Sequence, residues 1–424
     1  MSRNAGGDGR SGDGSSGRAV GVRRPRNRKD QIAAAAAYLF HQDGFHNVGI
    51  DEVAAAVGIT GSAVYRHFRN KHLLLAHVIL HGIDLAEGVV AEATSGGRTA
   101  WPAIDHLLPG LTELILDRRD LAVLWQREIR ILPEPEQAEL RHRLFRIETS
   151  VCGLLRDARP ELTMGDAELL AWSGLSVASS PSHHQVVLPR ARFVELLCRM
   201  GTTVLAHPGA VAGRDERQDA AVADVDDGEG GAAGRGSFVA RTSRREELLT
   251  TASQLFRQRG FPAVSMEDIG AAAGISGPSV YWHFSSKTDL LHAALTRGSE
   301  GQLLGMSQAL VAAATPRQAL EQVLVSYVDF TLGHPDLVRL LASEVVHLPE
   351  AQRQELRRAQ RDYVSDWVRL LGELRPELAE SEARVLVHGV LAIVNDSPRS
   401  PRLRRRAHLR DELVSLCLDV LLNA

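Results

Sequence analysis

Apolar residues recur along this chain at helical spacing, and no credible run alternates as a strand would. From Arg28 to Gln42, the residues Ile32, Ala36, Leu39 and Phe40 fall at i, i+4, i+7 and i+8, one face of a helix. Gly44 follows as a C-terminal glycine. The same face returns as Leu248, Ala252, Leu255 and Phe256, closed by Gly260. After each comes a pair of short helical stretches, 50–57 with 61–67 and 266–273 with 277–283, separated by Gly58-Ile59 and Gly274-Ile275. Longer helical stretches follow, jointed at prolines such as Pro102, Pro133, Pro160 and Pro181, then Pro316, Pro335, Pro349, Pro376 and Pro398. The expected class is all-α.

The pattern repeats because the sequence does. With a fixed offset of 216 and no gaps, residues 28–75 match 244–291 at 20 of 48 positions. Unrelated pairs would give roughly 6%, or about three. The register persists far beyond that window: Asp120-Leu121 faces Asp336-Leu337, Glu128 faces Glu344, and Arg159-Pro160-Glu161-Leu162 faces Arg375-Pro376-Glu377-Leu378. So long a common offset means two whole copies of one fold, not a shared motif or a solenoid of short units. The expected organisation is a basic, disordered arm at 1–27, a head at 28–70 and a helical effector and pairing domain at 71–206. A Gly/Ala/Asp-rich flexible linker at 207–240, a second head at 241–286 and a second effector domain at 287–424 complete it.

Two short helices joined by a tight glycine turn make a helix-turn-helix. Gly58 and Gly274 permit positive φ there. Ala55 and Ala56, with Ala271 and Ala272, are small enough for the two helices to cross closely. Thr60 and Ser276 stand where hydroxyls cap the second helix, and Pro278 falls in its first turn, where a missing N–H is harmless. Ser265 to Asp268 approximates a capping box, and Gly49 is the weaker counterpart.

These residues resemble the TetR/AcrR-type transcriptional regulators. The resemblance rests on Gly44-Phe45, Ile50-Asp51-Glu52-Val53-Ala54, Val57-Gly58-Ile59, Tyr65-Arg66-His67-Phe68 and Lys71. In the second copy it rests on Gly260-Phe261, Met266-Glu267-Asp268-Ile269, Ala273-Gly274-Ile275, Tyr281-Trp282-His283-Phe284 and Lys287. It implies that the second helix of each motif lies in the major groove of a double-stranded DNA operator. Thr60, Gly61, Ser62, Ala63, Tyr65 and Arg66 would then be near base edges or flanking phosphates, as would Ser276, Gly277, Ser279, Tyr281 and Trp282. His67, His283, Lys71 and Lys287 would fall at phosphates. Ser265 would hold a phosphate that Gly49 cannot. Arg66 can bond guanine bidentately and Trp282 cannot, so the heads need not read the same bases.

The resemblance also implies that the last two helices of each copy build a four-helix pairing interface. Both copies on one chain can then pair internally as a pseudo-dimer on an imperfect palindrome, or two chains can pair and present four heads. In the effector domains Trp125, Glu128, Phe145 and Trp172, with Glu344, His347, Tyr363, Trp367 and His388, are pocket candidates, each also readable as core. Glu128 and Glu344 stand out, because a buried carboxylate needs a partner. That partner is a small-molecule effector, apolar or acyl-type, or an arginine such as Arg141 or Arg357.

Charge is segregated: residues 18–77 hold nine Lys/Arg against four Asp/Glu, while the whole chain is at −3. An acidic body with a basic first window suits contact with a polyanion over part of the surface. Aromatics at 5% argue against stacking platforms for single strands. Cys152, Cys198 and Cys417 form no CxxC pair, so neither a zinc ribbon nor a disulfide framework is expected. No Walker loop, GxGxxG, GxSxG or HExxH is present, so no enzyme, cofactor or metal is expected. The uncharged stretch 169–189 carries serines, two histidines and a proline, a poor membrane span, and residues 1–27 lack an apolar signal core. A cytoplasmic repressor modulated by an effector is the expectation; an activator, or an architectural DNA binder without effector, are the alternatives.

Overall fold

The computed structural model describes residues 28–209 and 243–424. The expected arm at 1–27 and all but the first three residues of the expected linker lie outside the described residues. Among the described residues every regular element is helical. The first copy runs α1 (Arg28–Asp43), α2 (Ile50–Ala56), α3 (Gly61–Tyr65), α4 (Lys71–Thr94), α5 (Ala100–Asp117), α6 (Asp120–Glu128), α7 (Glu134–Ala158), α8 (Met164–Ser179) and α9 (Arg190–Ala206). The second runs α10 (Arg244–Arg259), α11 (Met266–Ala272), α12 (Gly277–Val280), α13 (Lys287–Ala312), α14 (Pro316–Gly333) and α15 (Pro335–Ser343). It ends with α16 (Glu350–Leu374), α17 (Glu380–Asp396), α18 (Pro401–Arg404) and α19 (Leu409–Asn423). The copies correspond helix for helix at the offset of 216, except that α18 has only residues without regular structure, 185–188, opposite it.

Local chemistry explains the starts and stops. The Asn70 and Ser286 side chains accept the amides of Leu73 and Asp289 and so cap α4 and α13. Gly44 and Gly260 close α1 and α10 at φ +83° and +82°. The residues 71–97 have the length and hydropathy of a membrane span, but Leu74, Leu75, Val78, Ile79 and Ile83 are buried between head and body.

Three apolar clusters organise the molecule. Each head has its own, around Ile32, Phe40, Val53, Val64 and Phe68 in one copy and Leu248, Phe256, Ile269, Val280 and Phe284 in the other. The third is continuous through both bodies: Leu170, Val177, Leu197 and Met200 share it with Leu386, Val390, Ile393 and Leu416. Its centre is the four-helix junction of α8, α9, α17 and α19, close enough that a Cβ on Gly389 would overlap the Met200 thioether methyl. Charged pairs cross the same seam: Arg402 to Glu168 at 2.6 Å, Arg406 to Asp166 at 2.8 Å, and Arg192 to Glu382. The pairing foreseen from the last two helices thus occurs within one chain.

Candidate nucleic-acid interface

Each helix-turn-helix is held from behind. Val64 and Val280 are fully buried, and Phe68 and Phe284 nearly so, which fixes α3 and α12 by their inner faces. The turns use Gly58 at φ +67° and Gly274 at φ +69°, as the sequence demands. The small residue at the crossing is not the expected one. Ala55, Ala56, Ala271 and Ala272 are exposed; Ala54 and its counterpart Gly270 face the partner helix, where a Cβ on Gly270 would lie 3.0 Å from the Gly277 nitrogen. Gly61 and Gly277 serve the same approach, since a Cβ on Gly61 would overlap the Asp51 carboxylate.

The outer faces form the candidate interface. Thr60, Ser62, Tyr65, Arg66 and His67 are exposed in the first head, and Ser276, Tyr281, Trp282 and His283 in the second. Trp282, at 88% exposure, has no packing role, and Tyr65 and Tyr281 are half exposed, so none of the three is a core aromatic. Ala63 and Ser279 are partly buried beside them. Thr60 and Ser276 do occupy the cap positions, but their hydroxyls pair with Ser62 Oγ at 2.9 Å and Ser279 Oγ at 2.7 Å instead of capping amides.

Some residues expected at phosphates have hydrogen-bond partners inside the heads. Ser265 Oγ accepts from the Asp268 amide at 3.0 Å while Asp268 accepts from the Ser265 amide at 2.8 Å, a full capping box. Its hydroxyl is therefore engaged. In the first copy only the return bond exists, Gly49 N–H to Glu52 at 3.0 Å. The lysines expected at phosphates are also engaged. Lys71 Nζ donates to the carbonyls of Phe45 and Val48 at 2.6 and 2.7 Å, and sits 4.2 Å from the Phe45 ring centre. Lys287 Nζ donates to Phe261, Pro262 and Val264 carbonyls at 2.9, 3.4 and 2.7 Å. Burial holds both ammonium pKa values below their ordinary range. They tie the start of α4 and α13 to the loop after the first helix.

The carboxylates singled out as pocket candidates are latches between body and head. Glu128 Oε1 accepts from the Phe45 amide at 3.3 Å and from Arg127 Nε at 2.6 Å. Glu344 Oε2 accepts from the Phe261 amide at 3.3 Å, and its other oxygen takes Arg130 of the first copy. Neither uses the arginine expected of it, since Arg141 bonds Gln137 and the guanidinium on Glu344 is not Arg357. The spacing 45–128 repeated as 261–344 was visible in the sequence, but nothing local links its ends.

The remaining candidates do not form one pocket. A cavity of about 920 Å³ lies between α1, the α5–α6 joint, residues 181–185 and residues 341–346 of the second copy. Trp125, Glu128, Phe145, Trp172, Glu344, His347, Tyr363, Trp367 and His388 are all absent from its lining. Phe145 lies under the Arg402 guanidinium across the seam, and the His388 ring stacks on His184 at 4.4 Å. His347 stacks on Phe261 beside the latch, while Trp125 and Trp172 are packed half-buried with their indole N–H groups unbonded. Tyr363 and Trp367 do sit together, inside the second body with Tyr327, whose hydroxyl donates to Asn395 at 2.7 Å. No cluster with metal-ligand composition occurs among the described residues.

Two glycine-turned helix pairs, each with an exposed second helix and joined to paired helical bodies, make this a helix-turn-helix DNA-binding protein. Residues 32–78 and 248–294 match the family described as bacterial regulatory proteins, tetR family, and residues 313–399 match a tetracyclin repressor-like C-terminal domain. The HTH-type transcriptional activator FasR of Mycolicibacterium smegmatis is 34% identical over 39% of this chain and 75% of its own length. The HTH-type transcriptional repressor KstR2 of Rhodococcus jostii is 36% identical over 27% of this chain and 55% of its own. Among solved structures, a TetR-family transcriptional regulator from Bordetella parapertussis aligns with a TM-score of 0.41 at 22% identity, over 43% of this chain and 95% of that one. The chain belongs to the tetR family of bacterial regulatory proteins, with two such heads in tandem.

Proposed function

We propose that this protein represses transcription by docking both heads on one imperfect palindrome, and that a small molecule in the second body releases it. The reading rests on one observation: two unlike recognition surfaces stand on bodies with a common core. Arg66, Ser62 and Arg69 in the first head face Trp282, Pro278 and Ser285 at the same places in the second. Thr60, Gly61, Ser62, Ala63, Tyr65, Arg66 and His67 form the first DNA face; Ser276, Gly277, Ser279, Tyr281, Trp282 and His283 form the second. Repression is the simpler sign, because a protein seated on a promoter excludes polymerase with no further contact. The FasR and KstR2 names carry both signs.

The effector is assigned to the second body on polarity. Tyr327, Thr331, Tyr363, Trp367 and Asn395 stand there, where the first copy has Leu111, Ile115, Ile147, Val151 and Ser179. Trp367 and Thr331 are fully buried, yet Trp367 Nε1 and Thr331 Oγ1 make no well-formed hydrogen bond, although the Tyr363 and Tyr327 hydroxyls lie beside them. Buried donors left in that state are expected to find a ligand or water. An apolar or acyl-type molecule with one polar end suits that mixture. Displacing α14 moves α15 and the Glu344 latch, and so the second head, provided the effector prefers the displaced arrangement.

Selection of duplexes from a random pool tests the DNA reading. The selected sites should be unequal half-sites, and Arg66→Ala should relax base preference in one of them by about 1–3 kcal/mol. A uniform loss over all sequences would make Arg66 a backbone contact, and failure to select any duplex would remove the proposal.

A further inference from the structure

The two head latches agree in every part but one. In the first copy Arg127 pairs with Glu128 and donates to the last carbonyls of α1, those of Phe40 and His41. The counterpart of Arg127 in the second copy is Ser343. Its hydroxyl reaches Glu344 at 3.0 Å and the Arg339 carbonyl, not the end of α10. A guanidinium nevertheless occupies the same place. Arg130 of the first copy pairs with Glu344 and donates to the carbonyls of Phe256 and Arg257 at 3.4 and 3.1 Å. Phe256 and Arg257 are the counterparts of Phe40 and His41.

The reverse contact has no charge. Arg130's counterpart is Val346, whose methyl lies against Gly44 of the first head, where Arg130 lies against Gly260 of the second. Arg130 thus enters the second head's latch from the first copy, and the aliphatic Val346 holds the corresponding place on the first head. His347 stands 3.5 Å from Glu344, but burial lowers its imidazole pKa, so it is neutral and the counter-charge of the fully buried Glu344 is Arg130.

We propose that Arg130 is the positioning residue for the second head, supplied in trans, so that the first copy controls how the second head docks while the first head keeps its own arginine. The two heads are thus held unequally. Movement of α6 or of the 3-10 turn at 129–131 withdraws the guanidinium from Glu344 and from the end of α10, leaving a buried carboxylate without its counter-charge. The corresponding movement of α15 withdraws no charged group from the first head. The significance for DNA rests on the reading that both heads dock; the positioning itself does not.

Hydrogen exchange on the full chain, without DNA, separates the two. Arg130→Gln should lower amide protection in 248–284 by about tenfold or more relative to 32–68, and Arg127→Gln should do the opposite. The decisive variant returns the arginine to its own copy: Arg130→Val with Ser343→Arg should restore protection of 248–284. That readout also serves if Arg130→Gln fails to fold, since the double variant should fold with both heads protected. With a selected duplex, Arg130→Gln should lose the footprint of one half-site and keep the other. Equal loss in both heads, loss in neither, or a double variant whose second head stays unprotected would overturn the assignment. Absence of DNA binding by the unaltered chain would remove the proposed function and leave the exchange result standing.

Discussion

A lysine ammonium has three N–H donors, and where they point decides what it can offer a ligand. Lys287 directs donors at three carbonyls of the loop after α10. Lys287→Met should therefore lower head stability by about 1–3 kcal/mol in urea titration and leave the salt dependence of DNA binding unchanged. A slope flatter by about one unit would return this lysine to a phosphate. Histidines at the seam give a second residue-scale expectation. Burial drives His184 down to about 2, and burial with the nearby Arg384 drives His388 to about 4, so both are neutral in the folded chain near neutrality. The unfolded chain, titrating near 6.5, binds more protons below that pH. Their contribution is complete above pH 6.5 and is lost as pH falls, at about 1.4 kcal/mol per pH unit for each histidine down to its folded pKa. His388→Gln should lessen the steepness of acid destabilisation between pH 6.5 and 4.5 by that amount. Parallel curves would mean His388 titrates as an exposed imidazole.

At the scale of elements, the heads depend on backbone geometry more than on side-chain contacts. Gly274 at φ +69° joins α11 to α12 with open space around its absent Cβ, so Gly274→Ala adds strain without a clash. It should cost about 1 kcal/mol and appear as faster exchange in α11 and α12 alone; loss of protection across α13 as well would mean the turn supports the whole head. Periodicity and glycine placement made most helices legible, and the Ser265 capping box was readable from its letters. The crossing residue was not. Ala54, Ala55 and Ala56 are all small, and only the phase of α2, about 100° per residue, assigns the contact to Ala54. The two head latches were not legible for a related reason. Glu128 and Glu344 were marked as acids in need of partners, and Arg127 stands next to Glu128 in the chain, but the amides the two carboxylates hold lie 83 residues away and the arginine on Glu344 lies 214 away on the other copy. Sequence spacing carries no information about a contact that exists only once two copies are paired.

For the whole molecule, the pairing of copies is an energetic fact before it is a functional one. One apolar cluster runs through both bodies, so separating them would expose Leu386, Val390 and Ile393, which are now almost wholly buried. The charged pairs Arg406–Asp166 and Arg192–Glu382 would also lose their partners. The junction thus resembles a domain core cut in half, the character of an obligate interface. A protease site placed between residues 220 and 230 should accordingly cut the chain without separating its halves, which should co-elute on size exclusion. If the four-helix junction is satisfied internally, no equivalent surface remains for a second chain, and the heads are available as one pair. Light scattering should then give one chain in free solution and one chain per selected duplex. Two chains per duplex would mean that another surface pairs chains, and the operator would have to present more than two half-sites. Halves that part after cleavage would show the copies to be tethered neighbours, and the latch through Arg130 would then depend on the tether.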